Sequence, residues 1–205
     1  MNNPPCLFII EDHPVVQEGL ISYFEKSGRW RITGTASGLE SAKELLKRAS
    51  ADILLLDIQL EDGLGLNLIP WLKQQPPERN DTAPPVFAVY TAYDDFVHVS
   101  AALSKDVQVY MCKRRSLREL EQALVNALNG EKYIDDTVQM KLEYIADITG
   151  ALTKREKEIF SLVKNGLSNK KIAVYLGINV RTVENILSCI YDKTDVHSRA
   201  ELLEL

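Results

Sequence analysis

The chain has 205 residues, of which 45% are apolar and 26% charged, with a formal net charge of −5. That apolar share supports packed cores and excludes a disordered chain, and no apolar run reaches the roughly 20 residues that a membrane-spanning helix needs. The charge is uneven: residues 150–205 carry a net +2 and the remainder −7, a balance that suits an acidic regulatory domain tied to a mildly basic nucleic-acid binder.

In chain order, short apolar runs at 7–10, 53–56 and 86–90 predict strands, with weaker candidates at 31–36 and 107–111. The run 53–56 lacks polar alternation, as expected of a central parallel strand covered on both faces. Between the runs lie helical stripes: Val16, Leu20, Tyr23 and Phe24; Leu64, Leu68, Trp71 and Leu72; Leu117, Leu120, Leu124 and Leu128. Less regular helices are expected over 39–49 and 94–104. Five strands alternating with five helices predict a doubly wound α/β domain with a five-stranded parallel sheet over residues 1–130. The polar, proline-rich stretch 75–85 reads as an extended surface loop.

Asn129-Gly130 closes the fifth helix, and 131–150 reads as a linker with helical character around 138–148. A small all-α unit is expected over 151–205. Thr153 and Glu156 form a capping box at its first helix, which carries Ile159, Val163 and Leu167. Ser168 caps a second helix with Ile172, Ala173 and Leu176, and Gly177 supplies a left-handed turn residue. A third helix places Val183, Ile186, Leu187 and Ile190 on one face. Two short helices joined by a glycine-containing turn make a helix-turn-helix. The three cysteines, Cys6, Cys112 and Cys189, suggest neither a disulfide framework nor a zinc site. Cys6 and Cys112 read as buried small hydrophobes. Residues 1–5 lack a secretion signal, so a cytoplasmic protein without a membrane partner is expected.

In an open parallel sheet, ligands bind beyond the carboxyl ends of the strands. Those ends carry Glu11 and Asp12, then Asp57, then Thr91, with Lys113 just past the fifth strand. Carboxylates gathered there repel one another, which a hard divalent cation such as Mg²⁺ relieves. Asp57 then suits a carboxylate nucleophile toward a phosphoryl group, with Lys113 and Thr91 placed to donate to it.

The motifs Ile9-Ile10-Glu11-Asp12-His13-Pro14, Leu54-Leu55-Leu56-Asp57-Ile58, Tyr90-Thr91-Ala92 and Tyr110-Met111-Cys112-Lys113 occur in order. So do Leu152-Thr153-Lys154-Arg155-Glu156, Gly166-Leu167-Ser168-Asn169-Lys170, Arg181-Thr182-Val183 and Val196-His197-Ser198-Arg199-Ala200. With them the chain resembles the NarL/FixJ family of response regulators, which join a flavodoxin-like receiver to a LuxR-type output domain. The resemblance implies that Asp57 accepts phosphate from a sensor histidine kinase. It implies Mg²⁺ held by Asp12, Asp57 and the backbone carbonyl of Gln59, with Glu11 assisting, and a switch formed by Thr91 and Tyr110. Gly65 matches the family's glycine after the phosphorylated loop. It further implies a homodimer on phosphorylation, bound to promoter DNA, and no enzyme activity beyond the receiver's own phosphoryl transfer and autodephosphorylation.

A recognition helix lays one face in the major groove. With Val183, Leu187 and Ile190 inward, that face carries Arg181, Asn185, Ser188 and Asp192, with Glu184 beside it, and Thr182 is also expected to meet DNA. Lys154, Lys170, Lys171 and Lys193 are expected to attract phosphates independently of sequence. Glu184 and Asp192 stand where the family favours basic residues, so weaker or unusually specific DNA binding is expected. The family also extends its last helix further past Ser198-Arg199, which shifts the expected dimer contacts toward the receiver. The alternative is a receiver-controlled protein–protein adaptor whose helix-turn-helix binds DNA weakly or not at all.

Overall fold

The computed structural model describes residues 3–75 and 84–205. Most of the loop expected at 75–85 therefore lies outside the described residues. The chain divides after Asp135 into two compact units.

The first unit runs β1 (Cys6–Ile10), α1 (Pro14–Ser27), β2 (Arg31–Ala36), α2 (Leu39–Leu46), β3 (Ile53–Leu56), a small hairpin of β4 (Gln59–Leu60) and β5 (Gly63–Leu64), and α3 (Leu68–Lys73). It continues through β6 (Val86–Thr91), α4 (Phe96–Leu103), β7 (Val109–Cys112), α5 (Leu117–Leu128) and β8 (Tyr133–Ile134). The large sheet is parallel throughout, in the order β2-β1-β3-β6-β7-β8. The doubly wound α/β expectation therefore holds.

Alternation along the strands explains the two-sided core. Leu7, Ile9, Ile53, Leu55, Ala88 and Met111 join Leu20, Phe24, Leu120 and Leu124 in one apolar cluster, so this face lies against α1 and α5. By the two-residue strand period, Phe8, Ile10, Leu54, Leu56, Val89 and Tyr110 point to the other face, where they are also buried. Cys6 and Cys112 are buried in their strands as expected.

Two features differ from the sequence reading. The sheet has six strands rather than five, because β8 pairs with β7. Two residues after a glycine give no apolar run to read. The strand is secured by its neighbour instead: the Asp135 amide donates to the Tyr110 carbonyl at 2.8 Å, and the buried Asp135 carboxylate accepts from Arg115 at 2.9 Å. The stripe from Leu64 to Leu72 is also not one helix. Leu64 lies in the hairpin, residues 65–67 form a 3₁₀ turn, and the α-helix starts at Leu68. Leucine spacing is the same in both conformations; what decides is that the Gly65 amide must reach back to the Ile58 carbonyl, 2.7 Å away.

The second unit consists of α6 (Asp136–Gly150), α7 (Lys154–Lys164), α8 (Asn169–Leu176), α9 (Val180–Thr194) and α10 (Arg199–Glu204). Helix α6 and strand β8 occupy the segment expected to be linker. Helix α9 packs on both α7 and α8 through Val183, Leu187 and Ile190, all buried, while Ile186 is half-buried. Gly177 closes α8 in the left-handed region at φ 64°. Among the described residues, no helix is long and apolar enough to cross a membrane.

Candidate functional site

The sheet order reverses direction between β1 and β3, and ligands in such sheets sit beyond the carboxyl ends of the strands at that point. The strand ladders continue one step past each strand and place the side chains there. The Glu11 amide donates to the Ala36 carbonyl at 3.0 Å, Asp57 to Ile10 at 2.9 Å and Lys113 to Thr91 at 2.7 Å. Asp12 and His13 follow as the chain turns into α1, with Pro14 opening the helix.

Asp57 is 5% exposed and both of its carboxylate oxygens accept hydrogen bonds. Its Oδ1 accepts from the Thr91 hydroxyl at 2.7 Å and from the Ile58 amide at 2.6 Å. Its Oδ2 accepts from Lys113 Nζ at 2.6 Å. Lys113 also donates to Glu11, 2.8 Å from Oε2, and Glu11 is 2% exposed. Burial works against the Lys113 ammonium, but the hydrogen bonds to Asp57 and Glu11 outweigh it and raise its pKa above the usual lysine value.

Ligand atoms of Glu11, Asp12, His13 and Asp57 all lie within 4.8 Å of one another. Three carboxylates against one ammonium leave the pocket negative. Hard oxygen donors in that number suit a divalent cation. His13 Nδ1 adds a softer donor, 2.8 Å from Asp12 Oδ1, and nothing in the sequence reading assigned it chemistry.

Gly65 lies against the backbone of Asp57. A Cβ there would meet the Asp57 carbonyl oxygen at 2.0 Å, so only glycine fits. Gln59 is exposed at the start of the hairpin, two residues from Asp57. Thr91 is fully buried at the end of β6. Tyr110 is also fully buried, and its hydroxyl donates to the Tyr93 carbonyl at 2.8 Å in the loop between Thr91 and α4. Burial pushes the Tyr110 phenol well above its usual pKa, so it stays protonated and donating. The structure thus brings Glu11, Asp12, Asp57, Thr91 and Lys113 together, with Tyr110 tied to the loop that follows Thr91.

In the helical unit, Arg181, Glu184, Asn185 and Ser188 are all exposed on α9. Lys154, Lys170 and Lys171 are exposed at the starts of α7 and α8. Two residues expected to meet DNA are engaged within the protein. Lys193 donates to both carboxylate oxygens of Glu156, at 2.8 and 2.9 Å, tying α9 to α7. The Thr182 hydroxyl donates to the Asn179 side chain at 2.9 Å, inside the cap of α9. Sequence reasoning missed Tyr93 and the carboxylate of Asp62, which accepts from the Leu39 amide at 2.8 Å.

The model of the response regulator receiver domain matches residues 7–125, and that of the luxR family of bacterial regulatory proteins matches residues 150–205. Among curated relatives, the transcriptional regulatory protein YdfI of Bacillus subtilis is 27% identical over 206 residues, covering 97% of this chain and 93% of its own. The response regulator protein VraR of Staphylococcus aureus is 26% identical over 202 residues, covering 95% of this chain and 92% of its own. Among solved structures, RcsB from Salmonella enterica serovar Typhimurium, bound to promoter P1flhDC with the phosphomimetic BeF₃⁻, matches with a TM-score of 0.69 at 23% identity. That match covers 98% of this chain and 97% of RcsB.

Proposed function

The chain belongs to the response regulator receiver family and carries a C-terminal unit of the luxR family of bacterial regulatory proteins, and from that premise we propose that phosphorylation of Asp57 by a sensor histidine kinase controls binding of the helical unit to promoter DNA. The observation that carries this reading is the Asp57 carboxylate, buried yet held by Thr91, Lys113 and the Ile58 amide at 2.6–2.7 Å. In this reading residues 1–130 act as the receiver, 131–150 as the connection and 151–205 as the DNA-binding domain.

An Asp57 oxygen attacks the phosphorus of the kinase phosphohistidine. The O–P bond forms, the P–N bond breaks, and the electron pair returns to the imidazole, which takes up a proton. Lys113 and the Thr91 hydroxyl donate to the phosphoryl oxygens as they approach. Asp12, Asp57 and the Gln59 carbonyl, with Glu11 assisting, would hold Mg²⁺, which would supply positive charge to offset that of the phosphoryl group. In autodephosphorylation water attacks the phosphorus; its O–P bond forms as the Asp57 O–P bond breaks, inorganic phosphate leaves and the Asp57 carboxylate is restored, with Lys113 donating to the phosphoryl oxygens.

Thr91 and Tyr110 form the switch. Thr91 already bonds Asp57 and Tyr110 is already inward, holding the Tyr93 carbonyl. Phosphorylation therefore favours an arrangement that the unmodified chain already reaches, a shift of population whose size is set by how differently the phosphoryl group meets the two settings. The favoured state dimerises and presents paired recognition helices to half-sites in cytoplasmic promoter DNA. Arg181, Asn185 and Ser188 read the groove, while Lys154, Lys170 and Lys171 attract phosphate.

Incubation with a small acyl phosphate and Mg²⁺, followed by intact-mass measurement, tests the chemistry. Wild type gains one phosphoryl mass and Asp57→Ala gains none; equal gain by both overturns the reading. The exposed Glu184 and Asp192 favour a second reading, a protein–protein adaptor. A mobility-shift assay on the protein's own promoter across a salt series separates the two, since phosphate contacts weaken steeply with salt.

A further inference from the structure

Hairpin β4–β5 carries the Gln59 carbonyl and leads into Gly65, yet it has only two pairs, Gln59 with Leu64 and Leu60 with Gly63. A ribbon that short does not hold its own position in water, so its ends must fix it. The base is fixed by the Gly65 amide on the Ile58 carbonyl, 2.7 Å away. The tip is fixed by Asp62. Its Oδ1 accepts from the Leu39 amide at 2.8 Å and its Oδ2 from the Glu40 amide at 3.2 Å.

Those amides belong to the first turn of α2, where helix N–H groups have no partner within the helix. The residue at the cap position is Gly38, which has no side chain to offer. Asp62 fills that role from 23 residues away, a carboxylate set against the positive end of the helix. The Leu39 amide in particular draws the Asp62 pKa below its usual value. Packing agrees with the hydrogen bonds. A Cβ on Gly38 would meet the Asp62 carboxylate at 2.7–2.9 Å, and one on Gly63 would meet Leu39 at 2.9 Å.

We propose that Asp62 is a positioning residue for the phosphoacceptor site: by capping α2 across the fold, it fixes the hairpin and so places the Gln59 carbonyl and Gly65 beside Asp57. This rests on the reading of the pocket as a Mg²⁺-dependent phosphorylation site. Asp62 touches none of the reacting atoms. Its effect passes through the hairpin backbone, as outer groups orient the ligands of a metal site.

Calorimetric titration of the full chain with MgCl₂ tests it on Asp62→Ala, Gly38→Ala and Glu61→Gln. Gly38→Ala retains every charge and suits the extended backbone there at φ −164°, but its methyl displaces the Asp62 carboxylate. Glu61→Gln removes a carboxylate one residue from Asp62 and leaves the cap intact. Asp62→Ala and Gly38→Ala are expected to weaken Mg²⁺ binding by roughly tenfold or more, with Glu61→Gln close to wild type. Wild-type affinity in both weakened candidates overturns the proposal, and so does weakening in Asp62→Ala alone, which marks a charge effect without positioning. A wild-type chain that takes up no Mg²⁺ overturns the function reading instead, so the two failures are distinguishable.

Discussion

The pocket beyond the carboxyl ends of the strands and the outward face of α9 are built on opposite plans. In the pocket each charged group already has a partner within the chain: Asp57 has Lys113 and Thr91, and Glu11 has Lys113. On α9, Arg181, Glu184, Asn185 and Ser188 all face solvent. A site whose partners are internal is coupled to folding, so changing it moves stability as well as function. A surface that waits for an outside partner changes binding and little else. Both tryptophans, Trp30 and Trp71, lie in the first unit. Tryptophan fluorescence therefore follows that unit alone, while helical circular dichroism follows both.

The largest effect is expected at Lys113. Lys113→Ala leaves Glu11 and Asp57 facing each other without a cation, both almost fully buried. Breaking a buried pair in this way costs about 3 kcal/mol, at the lower end of the usual range because the lysine is 17% exposed. Asp57→Ala removes one of the two repelling carboxylates and leaves Lys113 paired with Glu11, so its cost is smaller. Urea unfolding followed by tryptophan fluorescence measures both, and the comparison breaks if Asp57→Ala proves the more costly. Gly65→Ala comes next. Its methyl meets backbone, the Asp57 carbonyl, which moves only with the loop, so a loss of about 2 kcal/mol in the same assay is expected. Phosphoryl uptake from a small acyl phosphate falls with it.

How much of this was legible in the sequence follows the same division. Glu11, Asp12, Asp57, Thr91 and Lys113 were readable because each stands at the end of a strand marked by apolar residues, and a parallel sheet brings strand ends together. The output helices were readable from caps and stripes that act within one turn or two. Contacts joining distant residues were not. Asp62 caps a helix 23 residues upstream, and Lys193 pairs with Glu156, 37 residues away. Lys193, in the last turn of α9, reads from the sequence as a phosphate contact, and its partner Glu156 becomes visible only in the fold. Strand β8 escaped notice because two residues carry no period. The helix expected from Leu64 begins later because the stripe says nothing of the backbone path that Gly65 must take.

In the helical unit the effects on stability are smaller. Lys193→Ala is expected to cost about 1 kcal/mol, since the pair is partly exposed, and the loss appears in circular dichroism without a change in tryptophan fluorescence. Arg181→Ala is expected to leave both melting curves in place and to lower DNA affinity, with a shallower salt dependence. Equal melting losses in the two variants would remove the distinction between an internally engaged cation and an outward one.

The smallest effect is a dependence on pH confined to the helical unit. The hydrogen bond from Lys193, followed by that of the Thr153 amide, draws the Glu156 pKa from 4.5 down to about 2. A carboxylate whose pKa is lower folded than unfolded binds protons more readily in the unfolded chain. Its contribution is therefore complete above about 4.5 and is lost as pH falls from there toward about 2. Glu156→Gln removes the titrating group, so helical circular dichroism melts of the variant are expected to vary less than wild type across that window. The tryptophan signal, which follows only the first unit, should show the same pH dependence in both proteins. If the variant's helical melts remain as steep in pH as those of wild type, Glu156 does not link this unit to pH, and the Lys193 contact loses its standing as a fixed part of the fold.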